Sequence, residues 1–491
     1  MSWIDPLDAL PPPPPPSPPG PAPRWAKALA AGIALLVVAA VVVVVVRSTG
    51  GGARFDHPDE WDPRVADLAA FVEDARELDF AHPVHVDFLT AEEHRAEATA
   101  DEADLTDEDR AALAQDAGLL RALGVASGPL DLLAAFNTVT DGGTLAFYDP
   151  DDGRIRVRGT ELTAGLRVTL VHELTHALQD QAFDLRRLDG EELDSGEAAA
   201  FRALVEGDAL RVEDEYVADV LTPAEREAYE QEHAGEVEAS EAATAEVPPF
   251  LGATFAAPYL LGRPFVTMLL NQGGNAAVDE ALTEPPATEE HLFDPSSYLA
   301  DEEPTRLEIE VPDGAEPLDE AGPFGTPTWF LVLAERIDPM VAFEAALGWG
   351  GDGSIAFERD GTSCVRAVFT GDTEADGTEM SAALDAWADT MPAGVVERFE
   401  LDGDPGFESC DPGEDVDLEL TGRSADALVL PSLWGYLVAD AATIADAAAA
   451  RCYAARVIDG LTYDEIVDPE GAVFGRDDFQ ASLRDAFEAC A

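Results

Sequence analysis

Apolar and polar positions change period several times along this chain. Over 61–78, WDPRVADLAAFVEDAREL, apolar residues recur every three or four places, which predicts an amphipathic helix. PVHVDFL, 83–89, alternates instead and predicts a strand. TDEDRAALAQDAGLLRAL, 106–123, returns to helical spacing behind Thr106 as its N-cap. GTLAFYDPDDGRIRVRG, 143–159, holds two alternating runs around Asp-Pro-Asp-Asp-Gly and predicts a hairpin. Three helical stretches follow, at 166–183, 195–221 and 222–239, the last capped by Thr222. The apolar stretch 248–274 is broken by Pro and Gly and predicts a buried helix pair. From about 305 the texture mixes strands (305–311, 354–360, 364–370, 395–401) with a helix at 380–392. Beyond 414 the pattern is helical. The fold class expected is α+β and mostly helical.

The first 55 residues differ from the rest. Positions 11–23 are nearly all proline, a polyproline II tail that serves as a stiff spacer or a docking peptide. Residues 28–46 form an uncharged run of 19, the length that spans a hydrocarbon core as a helix. No small-residue cleavage pattern follows it, so an uncleaved anchor in the lipid bilayer is expected. Arg24 and Lys27 precede the run, which puts the N-terminus in the cytoplasm and the remainder outside, although Arg47 and Arg54 lie beyond it. The expected organisation is a proline-rich tail (1–27), a transmembrane helix (28–46), a linker (47–55), a main domain (56–304), an α+β module (305–413) and a terminal helical module (414–491).

Charge narrows the choice of partners. The 491 residues carry 99 acidic and 29 basic side chains, a net charge of -70. Such a surface repels nucleic acid and anionic lipid head groups, so no nucleic-acid partner is expected. Lys27 is the only lysine. GC-rich coding and adaptation to a salty exterior both account for that bias. The four cysteines, Cys364, Cys410, Cys452 and Cys490, all lie in the last third. An even number in an oxidising compartment suggests two disulfides. Of the three possible pairings, Cys364–Cys410 and Cys452–Cys490 each stay within one module.

LRVTLVHELTHALQDQAF, 166–183, holds two of the eight histidines. His172 and His176 are four apart, so a helix points both to one face, where they can grip one tetrahedral metal ion. Glu173 lies beside them and can hold a water against that ion. Val168, Leu170, Val171, Leu174 and Leu178 predict a largely buried helix, and buried imidazoles need partners. The third ligand expected is Glu206, in the apolar middle of the next helix, where a lone carboxylate would be costly. Gly207 beside it would let the two helices approach. Glu197 reads as a first-turn charge and Asp208 as lying on another face. Asp180, at i+8 from His172, is either an acceptor for an imidazole or an exposed aspartate.

These residues resemble the gluzincin (thermolysin-like) class of zinc metallopeptidases over roughly 140–220. EGDA, PPATEEHLFDP, GWGGDGSIAFERDG and GDTEAD further along are similar to blocks in a group of gluzincin-like surface proteins of bacteria and archaea. The resemblance implies a zincin-like domain, Zn2+ held by His172, His176 and Glu206, and Glu173 as general base in hydrolysis of a peptide or protein substrate. It also implies an edge strand along the cleft, at 145–148 or 154–158. One departure stands out: the position four after Glu206 is Leu210, so the carboxylate usually found behind a His ligand has no assigned residue. Tyr216, Tyr259, His233 and His291 are the candidates for stabilising an oxyanion. The segment 348–352, GWGGD, reads as a tight glycine turn near the cleft. The function expected is a membrane-anchored, outward-facing zinc peptidase. The alternative is a non-catalytic surface protein whose zinc is a structural pin, acting as a binding scaffold.

Overall fold

The computed structural model describes residues 56–100, 102–143, 145–189, 193–468 and 471–490. The expected tail, transmembrane helix and linker lie outside these. Among the described residues no helix is long and apolar enough to cross a membrane.

The chain is α+β and mostly helical, with two separate sheets. The first sheet has three strands, β1 (His85–Leu89), β2 (Ala146–Asp149) and β3 (Arg154–Arg158), in the order β1-β3-β2. The expected hairpin is present: β2 and β3 pair antiparallel, while β1 runs parallel to β3. β2 and β1 are therefore the edges, and β3, one of the two strands considered for the cleft edge, is central. The motif helix, Ala164–Phe183, starts where the Thr163 hydroxyl accepts from the Leu166 N–H, and stops at Asp184 in the left-handed conformation. It packs in one apolar cluster with Val72 of helix Ala66–Arg76 and with Ile155 and Val157 of β3.

The long helix Ser195–Asp219 follows, opened by a reciprocal capping box between Asp194 and Glu197. Stretch 248–274 is one continuous helix, Pro249–Gly273, with Pro258 and Pro264 inside it, rather than the helix pair expected. Close burial outweighs the hydrogen bonds the two prolines forgo. On one side Gly262 meets Gly207, where a Cβ would fall 2.4 Å from the Gly262 carbonyl carbon. Gly207 does permit a close approach, but to this helix and not to the motif helix. Thr106 and Thr222 cap their helices as expected.

The second sheet has six strands: β4 (Thr305–Arg306), β5 (Glu316–Pro317), β6 (Trp349–Arg359), β7 (Thr362–Gly371), β8 (Val396–Leu401) and β9 (Asp404–Cys410). β4, β6, β7, β9 and β8 lie side by side in that order, and β5 pairs with β6. Three details differ from expectation. The run 305–311 is a strand only at its first two residues. GWGGD is the bulged start of β6 rather than a turn. Its Asp352 is buried and accepts from the Trp329 and Trp349 indoles and from the Phe324 and Gly325 N–H groups. β9 begins with Asp-Pro-Gly, a turn-like opening that hides a strand.

Both disulfides, Cys364–Cys410 and Cys452–Cys490, are formed. The first ties directly paired positions of β7 and β9. The largest apolar cluster draws on Phe255 and Tyr259, on Trp329 and Phe369, and on Leu433 and Trp434. Residues on both sides of 304/305 and of 413/414 thus share one core.

Candidate metal centre

His172, His176 and Glu206 come together, each offering a donor atom within 4.8 Å of the others. All three are nearly buried, with exposures of 9%, 6% and 3%. The two imidazole Nε2 atoms are 3.0 Å apart, and each is 3.3 Å from Glu206 Oε2.

The neighbours of each ring decide where its proton sits. Gln179 Nε2 donates to the Val205 carbonyl and to Asp208 Oδ2, and both of these only accept. Its Oε1 therefore faces His176 Nδ1, at 2.9 Å, and Nδ1 must be the donor. His176 Nε2 is left as a lone pair. On the other ring, Glu213 Oε2 lies 3.4 Å from His172 Nδ1, a charge contact that favours the proton there. Two lone pairs and a carboxylate oxygen then converge on one point. Glu206 Oε2 is buried and lacks a well-aligned hydrogen bond. A cation or a shared proton is required between them. Two imidazoles and one carboxylate suit a transition metal of the zinc type, and nitrogen donors disfavour Mg2+ or Ca2+. The residues present fit a metal ion.

Electrostatics without an ion agree with that arrangement. Burial opposes charge on His172, but Glu206, Glu213 and Glu173 together hold its imidazole well above the usual range. His176 is also raised: burial opposes the charge, and Glu206 outweighs it. Burial likewise opposes charge on Glu206, yet the two imidazoles hold its carboxyl far below the ordinary range.

Glu173 is next to the centre and 7% exposed. Its Oε2 accepts from the Tyr148 N–H on edge strand β2, at 2.7 Å. Burial pushes its carboxyl up, against the pull of both imidazoles. β2 is thus the edge strand that meets this site.

The remaining sequence candidates sort out plainly. Glu197 belongs to the capping box in the first turn, well before Glu206 in the middle of the same helix. Asp208 is fully buried, but it faces Gln179, Arg76 and Arg211 rather than the imidazoles. Asp180 accepts from the Tyr148 hydroxyl and the Leu185 N–H, not from an imidazole. The imidazole partners are instead Gln179 and Glu213, neither of which the sequence reading named. Position gives the signal for both. Gln179 is three residues after His176, and Glu213 is two turns after Glu206 on the same helix face. Leu210, where a carboxylate was sought, packs against the large core. Of the four oxyanion candidates, Tyr259 alone has its ring beside His172, at 6.5 Å between centroids. Tyr216 packs on Phe71, His233 stacks on Tyr229, and His291 Nδ1 is 2.9 Å from the Ser297 hydroxyl.

No family model matches this chain, and neither a curated protein nor a solved structure shows significant similarity to it.

Proposed function

We propose that the protein is a zinc-dependent peptidase of gluzincin type, anchored by residues 28–46 with the remainder outside the cytoplasm. The observation that carries this reading is the convergence of two lone-pair Nε2 atoms and the Glu206 carboxylate next to Glu173. The two disulfides support an oxidising compartment.

His172, His176 and Glu206 would hold the ion. When bound, Zn2+ would acidify a water and polarise a substrate carbonyl. Glu173 is a carboxylate next to the centre that neither joins the three donors nor braces an imidazole, as Glu213 does, so the base role falls to it. Burial raises its affinity for protons, which suits a group that accepts a proton and returns it to a leaving amine. The Tyr148 N–H orients that carboxylate. Gln179 and Glu213 keep both imidazole protons on Nδ1, away from the ion. Edge strand β2 leaves its outer backbone edge, apart from the Tyr148 N–H taken by Glu173, for an extended peptide to pair with.

A second reading has its own observation. The three ligands are only 3–9% exposed, as in a structural pin. Metal analysis of the purified chain with a peptide-library digest separates the two. Zinc near one equivalent with cleavage that Glu173→Gln abolishes supports the peptidase. Zinc retained with no cleavage of any peptide leaves the structural pin.

A further inference from the structure

A second group of potential ligands lies outside the His172 centre. Glu290, Glu302 and Asp372 each offer a carboxylate oxygen within 4.8 Å of the others. They come from three segments: Glu290 from the short helix Glu290–Phe293, Glu302 from the loop before β4, and Asp372 from the position just after β7. Glu290 is only 3% exposed, and its Oε1 has no hydrogen-bond partner.

The nearby cation does not answer this need. Arg451 pairs with Asp294 Oδ2 at 3.0 Å and donates to the Leu347 carbonyl. Asp294 adds a fourth acid, with its other oxygen taken by Ser296 and the Trp434 indole. Arg451 thus pairs with Asp294 and lies near Glu302 and Asp372, but is no partner for Glu290. Burial, then Asp294, Asp372 and Glu302, push the Glu290 carboxyl up to about 9, with the Ser297 hydroxyl working the other way. Burial and Glu302 push Asp372 up to about 6.

We propose that Glu290, Glu302 and Asp372 bind a hard divalent cation of the Ca2+ type, which clamps the helical segment around residue 290 to the end of β7. All-oxygen donors suit Ca2+, whose ligands lie 2.3–2.6 Å away. Oxygens on opposite sides of such an ion can stand up to about 5 Å apart, whereas around Mg2+ they must close to about 4 Å. Buried Glu290 supplies the inner wall. Glu302 and Asp372 face the solvent side, by which the ion and its remaining waters enter.

The test is calorimetric titration of the calcium-stripped full chain with Ca2+ alone. About 1 M NaCl screens the diffuse attraction of a chain of net charge -70. One saturable equivalent and a raised melting temperature are expected. Asp372→Asn and Glu302→Gln, both at the solvent side, should fold and weaken that equivalent at least ~10-fold, since affinity follows ligand charge. His172→Ala and the exposed Asp415→Asn should leave it intact. Uptake that never saturates, or an equivalent that survives both Asp372→Asn and Glu302→Gln, overturns the proposal.

Discussion

The centre at His172, His176 and Glu206 and the cluster at Glu290, Glu302 and Asp372 are built on different supports. Two long helices carry the first, and their backbones set the donor directions. A hydrogen bond accepted by Gln179 Oε1 and a charge contact with Glu213 then fix the ring protons. The second is gathered from a four-residue helix, a loop and a strand end. Its only order of this kind is the buried Glu290. The first should therefore be preorganised and selective for its ion. The second should tighten only as its ion arrives. Removing an ion from the first should leave a shaped site, and removing one from the second should loosen the segments it joins.

The largest expected effect comes from His176→Ala. Zinc and hydrolysis should both disappear, as read by metal analysis and peptide cleavage, while the Ca2+ equivalent is unchanged. Loss of both ions together would mean that the two regions are not separate. Glu173→Gln comes next. Zinc should stay near one equivalent while hydrolysis falls by ~100-fold or more, the scale of a lost general base. Unchanged cleavage would remove Glu173 from the chemistry.

Asp208→Ala tests the support behind the centre rather than its donors. Asp208 and Arg76 are both fully buried and 2.8 Å apart. Breaking such a pair costs about 3 kcal/mol, read by urea denaturation, with zinc stoichiometry kept. Gln179→Ala should be milder in stability but should weaken zinc affinity roughly 10-fold, because the His176 ring loses the group that sets its tautomer. Unchanged zinc affinity would show that the helix alone orients the ring.

The smallest effect is the pH dependence of the metal-free chain. Glu206 is depressed from 4.5, so its contribution is present above that value and is lost as pH falls through the folded value. His172 is raised well above 6.5, so its contribution is complete below 6.5 and is lost as pH rises through the folded value. Both contributions coincide between 4.5 and 6.5, where metal-free stability from this site should be greatest. Zinc competes with the same protons, so its affinity should climb as pH rises. Denaturation midpoints across pH, with and without zinc, check both signs.

Much of this was legible in the sequence because it is local. The i, i+4 spacing of His172 and His176 puts two imidazoles on one face wherever the helix goes. Thr106 and Thr222 cap their helices through bonds that span three residues. The β2–β3 hairpin follows from alternation around a turn. Glu206 was legible for a related reason: a charge among apolar residues on a helix must meet a partner.

Other features depend on contacts between distant segments, which periodicity does not encode. Whether Pro258 and Pro264 break a helix depends on what packs around it, and packing kept helix Pro249–Gly273 whole. β9 opens with residues that favour turns, yet pairing with β7 and β8 makes it a strand. Gln179 and Glu213 look like ordinary polar helix residues until the fold sets them behind the two rings. The sequence by itself determined the pair of imidazoles, the glutamate beside them and most of the helices, since each arises within a few residues. Only the tertiary structure decided which atoms hold the ring protons, that Asp208 serves Arg76 rather than the ligands, and that Glu290 meets Glu302 and Asp372. Those outcomes rest on distances between residues far apart in the chain, which are set when the core closes.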